Sequence, residues 1–382
     1  MFLVRALAAA AKPLLVGGAL TAAAGATYFT IAGLPGQHSQ SAFEQLQGAG
    51  QRLLISEFGE NTDTLIAVDP ANVSDRTTVA TIDHAEGYGV FPVLAPDGRA
   101  IAYTGLPRGT PKPAADSPAQ AAVVDVSGRV TLLADDVDLL VPPVWAPDSG
   151  SIVVRKNTPE DRAAGTFELV LLARDGSRST ITTWSTAALF PIAFSPDGTT
   201  LYFATLNDAG TDLYAVAPDG SGETKLARLS DGIARDWKLA PDGSKLAYSV
   251  AEADGGGSVI TRTLDLATGV ADDAVAPGSP RAEYNPAWDG DGALTVASVK
   301  PAGGGDAVTV DAAGGATSLT SNDDRIDLPL AWSPDNASLA VRSVDGTSAS
   351  DAGASHIELL SRDGSRQRVS GSADVLIVGW LR

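Results

Sequence analysis

The chain of 382 residues has no cysteine, one methionine and three histidines, and only 6% of it is aromatic. Without a thiol there is no disulfide framework, no thiolate metal site, no cysteine nucleophile and no cysteine to carry a lipid. Basic residues are scarce as well. Lys and Arg number 27 against 46 Asp and Glu, for a net charge of −19. A chain of that sign lacks the basic face that phosphate backbones require, so nucleic acid is not an expected partner. At 44% hydrophobic and 19% charged residues, the composition also excludes a disordered tail.

One long uncharged run is present. Residues 13–34 read PLLVGGALTAAAGATYFTIAGL, 22 residues without a charge, and about 20 suffice for a helix to cross the hydrocarbon layer. Arg5 and Lys12 precede it, and no further Lys or Arg occurs before Arg52. The positive-inside rule then predicts a single-pass signal anchor over residues 1–34 in the cytoplasmic membrane. Its N-terminus would be inside and the rest of the chain in the periplasm or extracellular space. A cleaved signal peptide with its small-residue site at Ala24-Gly25-Ala26 is the competing reading. The run continues past that site through Tyr28, Phe29, Ile31 and Leu34, which favours the anchor. Gly18, Ala22 and Ala26 recur every fourth residue, a spacing that lets a second helix approach, although an alanine-rich segment produces it by composition alone. Residues 35–50, rich in Gly, Ser and Gln, read as a linker with room for one helical turn around Phe43 to Leu46.

From residue 51 onward one phrase repeats: an apolar run, Pro-Asp-Gly or a near variant, and a second apolar run. It reads FPVLAPDGRAIAY at 91–103, PPVWAPDSGSIVV at 142–154 and FPIAFSPDGTTLYF at 190–203. It returns as DWKLAPDGSKLAY at 236–248, NPAWDGDGALTV at 285–296 and LPLAWSPDNASLAV at 328–341. The anchoring positions Pro96, Pro147, Pro196, Pro241, Gly290 and Pro334 are 51, 49, 45, 49 and 44 residues apart. Such a period belongs to propeller blades. Proline presets the first corner of a type I turn, aspartate suits the second, and glycine takes the left-handed position after it. A second series of turns (DVSGRV, ARDGSRS, APDGSGE, DLATGV, DAAGGA, SRDGSR) runs out of phase with the first. Each repeat therefore contains four antiparallel strands, here called A to D.

The last stretch, ADVLIVGWLR at 373–382, has the pattern of a strand A without its B, C and D. RLLISEF, DTLIAVD and RTTVATI near residues 52–82 supply them, so one blade would be assembled from both chain ends. The 332 residues from 51 to 382 divide into seven blades of about 47 or six of about 55. The expectation is an all-β fold with a seven-bladed propeller over 51–382, six blades being the alternative, preceded by one transmembrane helix.

The Pro-Asp-Gly phrase with its flanking strands resembles the WD40-like repeat of TolB-type propellers, over almost all of residues 51–382. Asp289-Gly290-Asp291-Gly292 lacks the proline, and Pro334-Asp335-Asn336 has Asn in place of Gly. The resemblance implies an extracytoplasmic binding propeller. The 50 residues before it are too few for the N-terminal α/β domain that TolB carries, so membership of the Tol–Pal system is not implied.

Sites of chemistry are sparse. No G-x-S-x-G occurs. His38 lies in the linker, and His84, apart from any nucleophile, reads as a solvated loop residue. The acidic groups Asp135-Asp136-Asp138, Asp272-Asp273, Asp289-Asp291 and Asp323-Asp324-Asp327 match no calcium-loop pattern. No catalytic residue, metal or cofactor is therefore assigned. Trp145, Trp288, Trp332 and Trp380 share one position in strand A and are expected to pack between blades.

The B–C and D–A loops should share one face, and they are the variable ones, where binding usually resides. They supply a candidate partner-binding face of Tyr88, Arg108, Lys112, Arg155, Lys156, Arg162, Trp184, Arg235, Arg281, Tyr284 and Arg325. Cationic and aromatic groups on an acidic body suit a protein interface, while local pairing of each Arg with a neighbouring Asp is the simpler alternative. The leading functional expectation is a membrane-anchored scaffold or assembly subunit that binds other protein subunits of a membrane or envelope complex. A metal-assisted hydrolase or lactonase in the central channel, and a soluble periplasmic binder of a small ligand or glycan, are the rivals.

Overall fold

A repeated tight turn between apolar runs dictates hairpins. The computed structural model describes residues 40–382 apart from 159–160, 162, 164, 252–258, 276–281, 301–302, 311–313, 321–323, 347–352 and 371–373. These residues form antiparallel sheets, preceded by a short helix, α1 (Ala42–Gln45). One sheet joins β28 (Val375–Leu381) to β1 (Arg52–Glu57), β2 (Thr62–Asp69) and β3 (Asn72–Asp83). The chain thus closes on itself through its two ends. Next come β4 (Phe91–Leu94), β5 (Ala100–Gly105), β6 (Ala119–Asp125) and β7 (Val130–Val137). A third sheet holds β8 (Val144–Trp145), β9 (Ser151–Arg155), β10 (Thr166–Ala173) and β11 (Arg178–Ser185). The fourth is β12 (Ala188–Phe194), β13 (Leu201–Asn207), β14 (Gly210–Val216) and β15 (Thr224–Ser230). The fifth is β16 (Ala234–Leu239), β17 (Lys245–Ala251), β18 (Val259–Asp265) and β19 (Ala271–Asp273).

The remaining strands correct the expected blade count. β20 (Ala282–Trp288), β21 (Leu294–Val299), β22 (Gly305–Val310), β24 (Ile326–Trp332), β25 (Ser338–Val344), β26 (Ser355–Ser361) and β27 (Arg366–Arg368) form one eight-stranded sheet, with β23 (Ala316–Ser318) paired to β22. Neither seven nor six separate blades form. There are five four-stranded blades and one fused sheet. Fusion occurs at a parallel bridge between Gly305 and Ile326, where the Gly305 N–H donates to the Arg325 carbonyl at 2.8 Å. A Cβ at Gly305 would stand 3.1 Å from Val299 and 3.2 Å from Ile326, so glycine is what lets β24 approach. The spacing of turn motifs counts hairpins and is blind to whether adjacent sheets pair.

The expected membrane anchor is corrected too. Among the described residues no helix is long and apolar enough to cross a membrane. The run 13–34, with Gly18, Ala22 and Ala26, lies outside the described residues, and the anchored, single-pass location is left without support. The linker reading of residues 35–50 also changes at its end. Ser41 caps α1 by accepting from the Glu44 N–H at 3.0 Å. Phe43 is fully buried in one cluster with Leu54, Leu65, Ile101 and Leu381, so this segment packs on the ring.

Burial follows strand rank. The second strands read as nearly continuous apolar runs, such as Leu53, Leu54 and Ile55, because both faces are covered by neighbouring blades. The fourth strands, such as β3 and β7, are largely exposed. The tryptophans tie the leading strands together. Indole N–H groups of Trp145, Trp288 and Trp380 donate to the carbonyls of Val93, Lys238 and Ala331 on the preceding leading strand, across 52, 50 and 49 residues. The sequence period is thus the distance from one blade to the next. Trp332 instead donates to the Thr295 hydroxyl at 3.1 Å.

The turns have the chemistry their residues predict. Gly98, Gly198 and Gly243 take φ of 69°, 73° and 75°, and each donates its N–H three residues back. The Asp97, Asp197 and Asp242 carboxylates accept the N–H two residues on. The two irregular copies form a matched pair. Asn336 holds φ 58°, accepts from the Gly290 N–H at 2.7 Å and donates to Asp291 at 2.9 Å. A proline at position 290 would have no N–H to give. Asn336→Gly is expected to cost about 1 kcal/mol in the native background and much less once Gly290→Pro has removed the donor. A urea double-mutant cycle measures the coupling, and additive effects would refute it.

Candidate functional site

Tyr88, Arg108, Lys112, Lys156 and Arg325 lie on the loops from second to third strands or from an outer strand to the next leading strand, whereas Arg155, Trp184, Arg235 and Tyr284 lie in β9, β11, β16 and β20. Two groups form. In the first, the Tyr88 hydroxyl donates to the Pro113 carbonyl at 3.0 Å and pins the Pro-rich loop between β5 and β6. Arg108 on that loop donates to the Asn61 side chain at 3.0 Å and lies 3.6 Å from Asp83, with over half its side chain exposed. Lys112 is exposed at the same loop, with φ 49°. In the second group, Arg235 lies 3.5 Å from Asp236 and 6.0 Å from the Tyr284 ring centroid. The weak ion pair and cation–π contact orient its guanidinium while leaving nearly half of it exposed. Arg325 lies 3.5 Å from Asp324.

Three other candidates are built into the ring. Arg155 is buried and donates through Nε and Nη2 to one oxygen of Asp138, at 3.2 and 2.6 Å. Its Nη1 donates to the Leu189 carbonyl, and the Phe167 and Phe190 rings lie 5.0 and 5.4 Å away. It rivets two sheets together. Lys156 lies 3.2 Å from Asp161 and 3.1 Å from Glu168. Burial works against its charge, but these bonds more than compensate and raise its amine above the ordinary lysine range. Trp184 is not on a loop at all. It sits in β11 against Tyr214 and Phe203, with its indole N–H on Glu223. Arg162 and Arg281 lie outside the described residues.

The histidines differ from expectation. His84 is fully buried, with Nε2 3.0 Å from Asp63 and Nδ1 2.8 Å from the Ala85 carbonyl. His356 is buried with Nε2 3.0 Å from Glu358. The acidic groups are largely engaged by arginine: Asp136 with Arg178, Asp138 with Arg155, Asp273 with Arg262, Asp289 with Arg362 and Asp327 with Arg366. Among the described residues, no three or more His, Asp or Glu converge on a metal position. Asn61, which holds Arg108, and Asp63, which holds His84, are not marked by any motif in the sequence. Single polar residues in short loops carry no pattern.

Solved structures of other proteins resemble this chain, a β-propeller domain among them. TolB from Acinetobacter baumannii is 17% identical over 92% of this chain and 89% of its own, at a TM-score of 0.48.

The fold is a β-propeller.

The β-propeller domain of the Trilobed protease from Pyrococcus furiosus is 12% identical, over 84% of this chain and 97% of that one, with a TM-score of 0.54. An oligogalacturonate lyase from Vibrio parahaemolyticus is 16% identical, over 78% and 84%, with a TM-score of 0.55. At these identities the likeness establishes the fold alone. The sequence matches no protein-family model, and no curated protein is similar to it. In this propeller leading strands of neighbouring sheets contact one another.

Proposed function

We propose that this propeller is a binding scaffold that holds another protein subunit against its variable loops and performs no chemistry of its own. The observation that carries the reading is that Arg108 and Arg235, each oriented by a nearby carboxylate, stay about half exposed on a body of net charge −19. Oriented arginines beside tyrosine are the groups that dominate protein interfaces. A carboxylate-bearing protein surface fits them, because guanidinium pairs with carboxylate in a planar, directional way. Peptidases and a lyase are among the similar structures, so the same fold also serves enzymes. Here the described histidines are buried against carboxylates, which leaves neither free as a base.

Crosslinking mass spectrometry on the native complex tests the reading. Links to the partner are expected to concentrate on the 106–118 loop and around Arg235. The paired change Arg108→Glu and Arg235→Glu is expected to weaken association by about a hundredfold, two lost arginine contacts at 1–2 kcal/mol each. A wild-type protein recovered as a lone monomer, or a complex indifferent to both changes, would sink the proposal.

A further inference from the structure

The loop that presents Arg108 and Lys112 is held by the short segment 83–90, and a buried histidine organises that segment. The Ala85 N–H donates to the Leu106 carbonyl at 2.8 Å, where the loop begins. The Tyr88 hydroxyl donates to the Pro113 carbonyl at 3.0 Å, in the middle of the loop. Asn61 ties the two together. Its carbonyl accepts the His84 N–H at 3.0 Å, and its side chain accepts from Arg108 at 3.0 Å. The turn 85–88 is closed by the Tyr88 N–H on the Ala85 carbonyl, also at 3.0 Å.

The Ala85 carbonyl has a second contact. His84 Nδ1 lies 2.8 Å from it, while Nε2 lies 3.0 Å from the Asp63 carboxylate. Both ring nitrogens thus face acceptors, and only the doubly protonated ring has a hydrogen for each. The His84 side chain is wholly inaccessible, so bulk water cannot stand in for either bond. The charges that act on it are Asp63 from β2 and Asp83 at the end of β3, and Asp83 in turn lies 3.6 Å from Arg108. On the side of the β1–β2 connection stands the uncharged Phe58 ring, 5.6 Å away between centroids. Burial works against the charge, but the bonds to Asp63 and Ala85 and the two carboxylates outweigh it and lift the ring above its ordinary 6.5.

When the ring gives up a proton, the loss falls on Nδ1. The Asp63 carboxylate is the stronger acceptor, so Nε2 keeps its hydrogen. The Nδ1 lone pair then meets the Ala85 carbonyl oxygen at hydrogen-bond distance and repels it. That carbonyl belongs to the turn that carries Tyr88, so the repulsion acts on the tie to Pro113.

We infer that His84 is a proton-operated latch on the loop over 106–118: the charged ring keeps Tyr88 seated on Pro113, and the neutral ring releases it. The loop is held below pH 6.5 and freed as the pH rises through the folded value. A consequence rests on the binding role proposed above for this loop: partner affinity falls over the same range.

Two measurements on the full chain test the latch without any partner. In NMR spectra of protein labelled in its histidine and tyrosine rings, the Tyr88 signal should move together with the His84 signal, at one midpoint above pH 6.5. Trypsin cleavage after Arg108 is scaled at each pH to that of an unstructured arginine peptide. It should rise by about fivefold through the midpoint, the change in open population that one lost hydrogen bond produces. Tyr88→Phe removes the tie and leaves the buried pair intact. It should be cleaved fast at every pH while His84 still titrates. Native cleavage that does not change with pH, or a Tyr88→Phe variant that keeps the native pH dependence, overturns the latch. A loop that switches while partner affinity stays constant would count against the binding role of the loop and not against the latch.

Discussion

Truncation before Val375 is expected to abolish cooperative folding rather than merely to loosen one edge. β28 pairs with β1 from Arg52↔Leu381 to Glu57↔Val375, and it buries Val375, Val378 and Leu381. Burying each such side chain stabilises by roughly 1.5–3 kcal/mol. Three of them approach the whole stability of a typical domain, about 5–15 kcal/mol. Further ties would be lost at once: the Trp380 indole on Ala331, and the Arg342 guanidinium on the Val375 carbonyl. Truncation would also open the edge of β1 at Leu53, Leu54 and Ile55, which are fully buried in the closed ring. An apolar open edge templates aggregation. Urea unfolding and size-exclusion chromatography should show a shallow transition and aggregates, partly reversed by a peptide of residues 374–382. A truncated monomer that melts within a few degrees of the native protein would show that closure is not what holds the ring.

That closing strand was legible because its sequence has the strand-A pattern and the strands near residues 52–82 have no leading strand of their own in sequence. The tight turns and the packing of the tryptophans were legible for the same reason, since turn residues and apolar periodicity act locally. The fused sheet was not. It depends on one close approach at Gly305, and a glycine in a sequence does not say what approaches it. The site residues divide along the same line. Arg108 lies on the loop between β5 and β6, where sequence position and exposure agree, while Arg235 enters β16 yet stays exposed. Arg155 reads in sequence as the first residue of a charged loop but ends β9, and its partner Asp138 comes from just after the preceding outer strand. Pairing across a ring closure or a sheet boundary has no local signature, so buried ion pairs and surface anchors look alike in one dimension.

The knot around Asp63 shows what such a hidden pairing is worth. Its Oδ1 accepts from the Gly59 N–H at 3.2 Å and faces His84 Nε2 at 3.0 Å, and its Oδ2 accepts from the Val90 N–H at 2.9 Å. The side chains of both Asp63 and His84 are almost wholly inaccessible. A Cβ at Gly89 would fall 2.0 Å from the Phe58 ring, so the loop closes over the pair only through glycine. Asp63→Asn keeps the shape but turns an amide N–H₂ toward groups that donate. It is expected to destabilise by about 3 kcal/mol or more, the cost of breaking a buried, hydrogen-bonded pair. The loss carries a pH signature. Burial alone would lower the imidazole, but the hydrogen bonds to Asp63 and Ala85 and the nearby Asp63 and Asp83 charges raise it above its ordinary 6.5. A histidine raised on folding contributes its full stabilisation below pH 6.5 and loses it as pH rises through the folded value. In Asp63→Asn burial dominates and favours the neutral ring. The stability gap between the two proteins should therefore be widest below pH 6.5 and narrow as the pH rises. Thermal or urea unfolding across that range measures it. A gap that is constant with pH, or that widens toward alkaline pH, would mean that His84 is neutral in the native ring and that the carboxylate serves only the two backbone N–H groups.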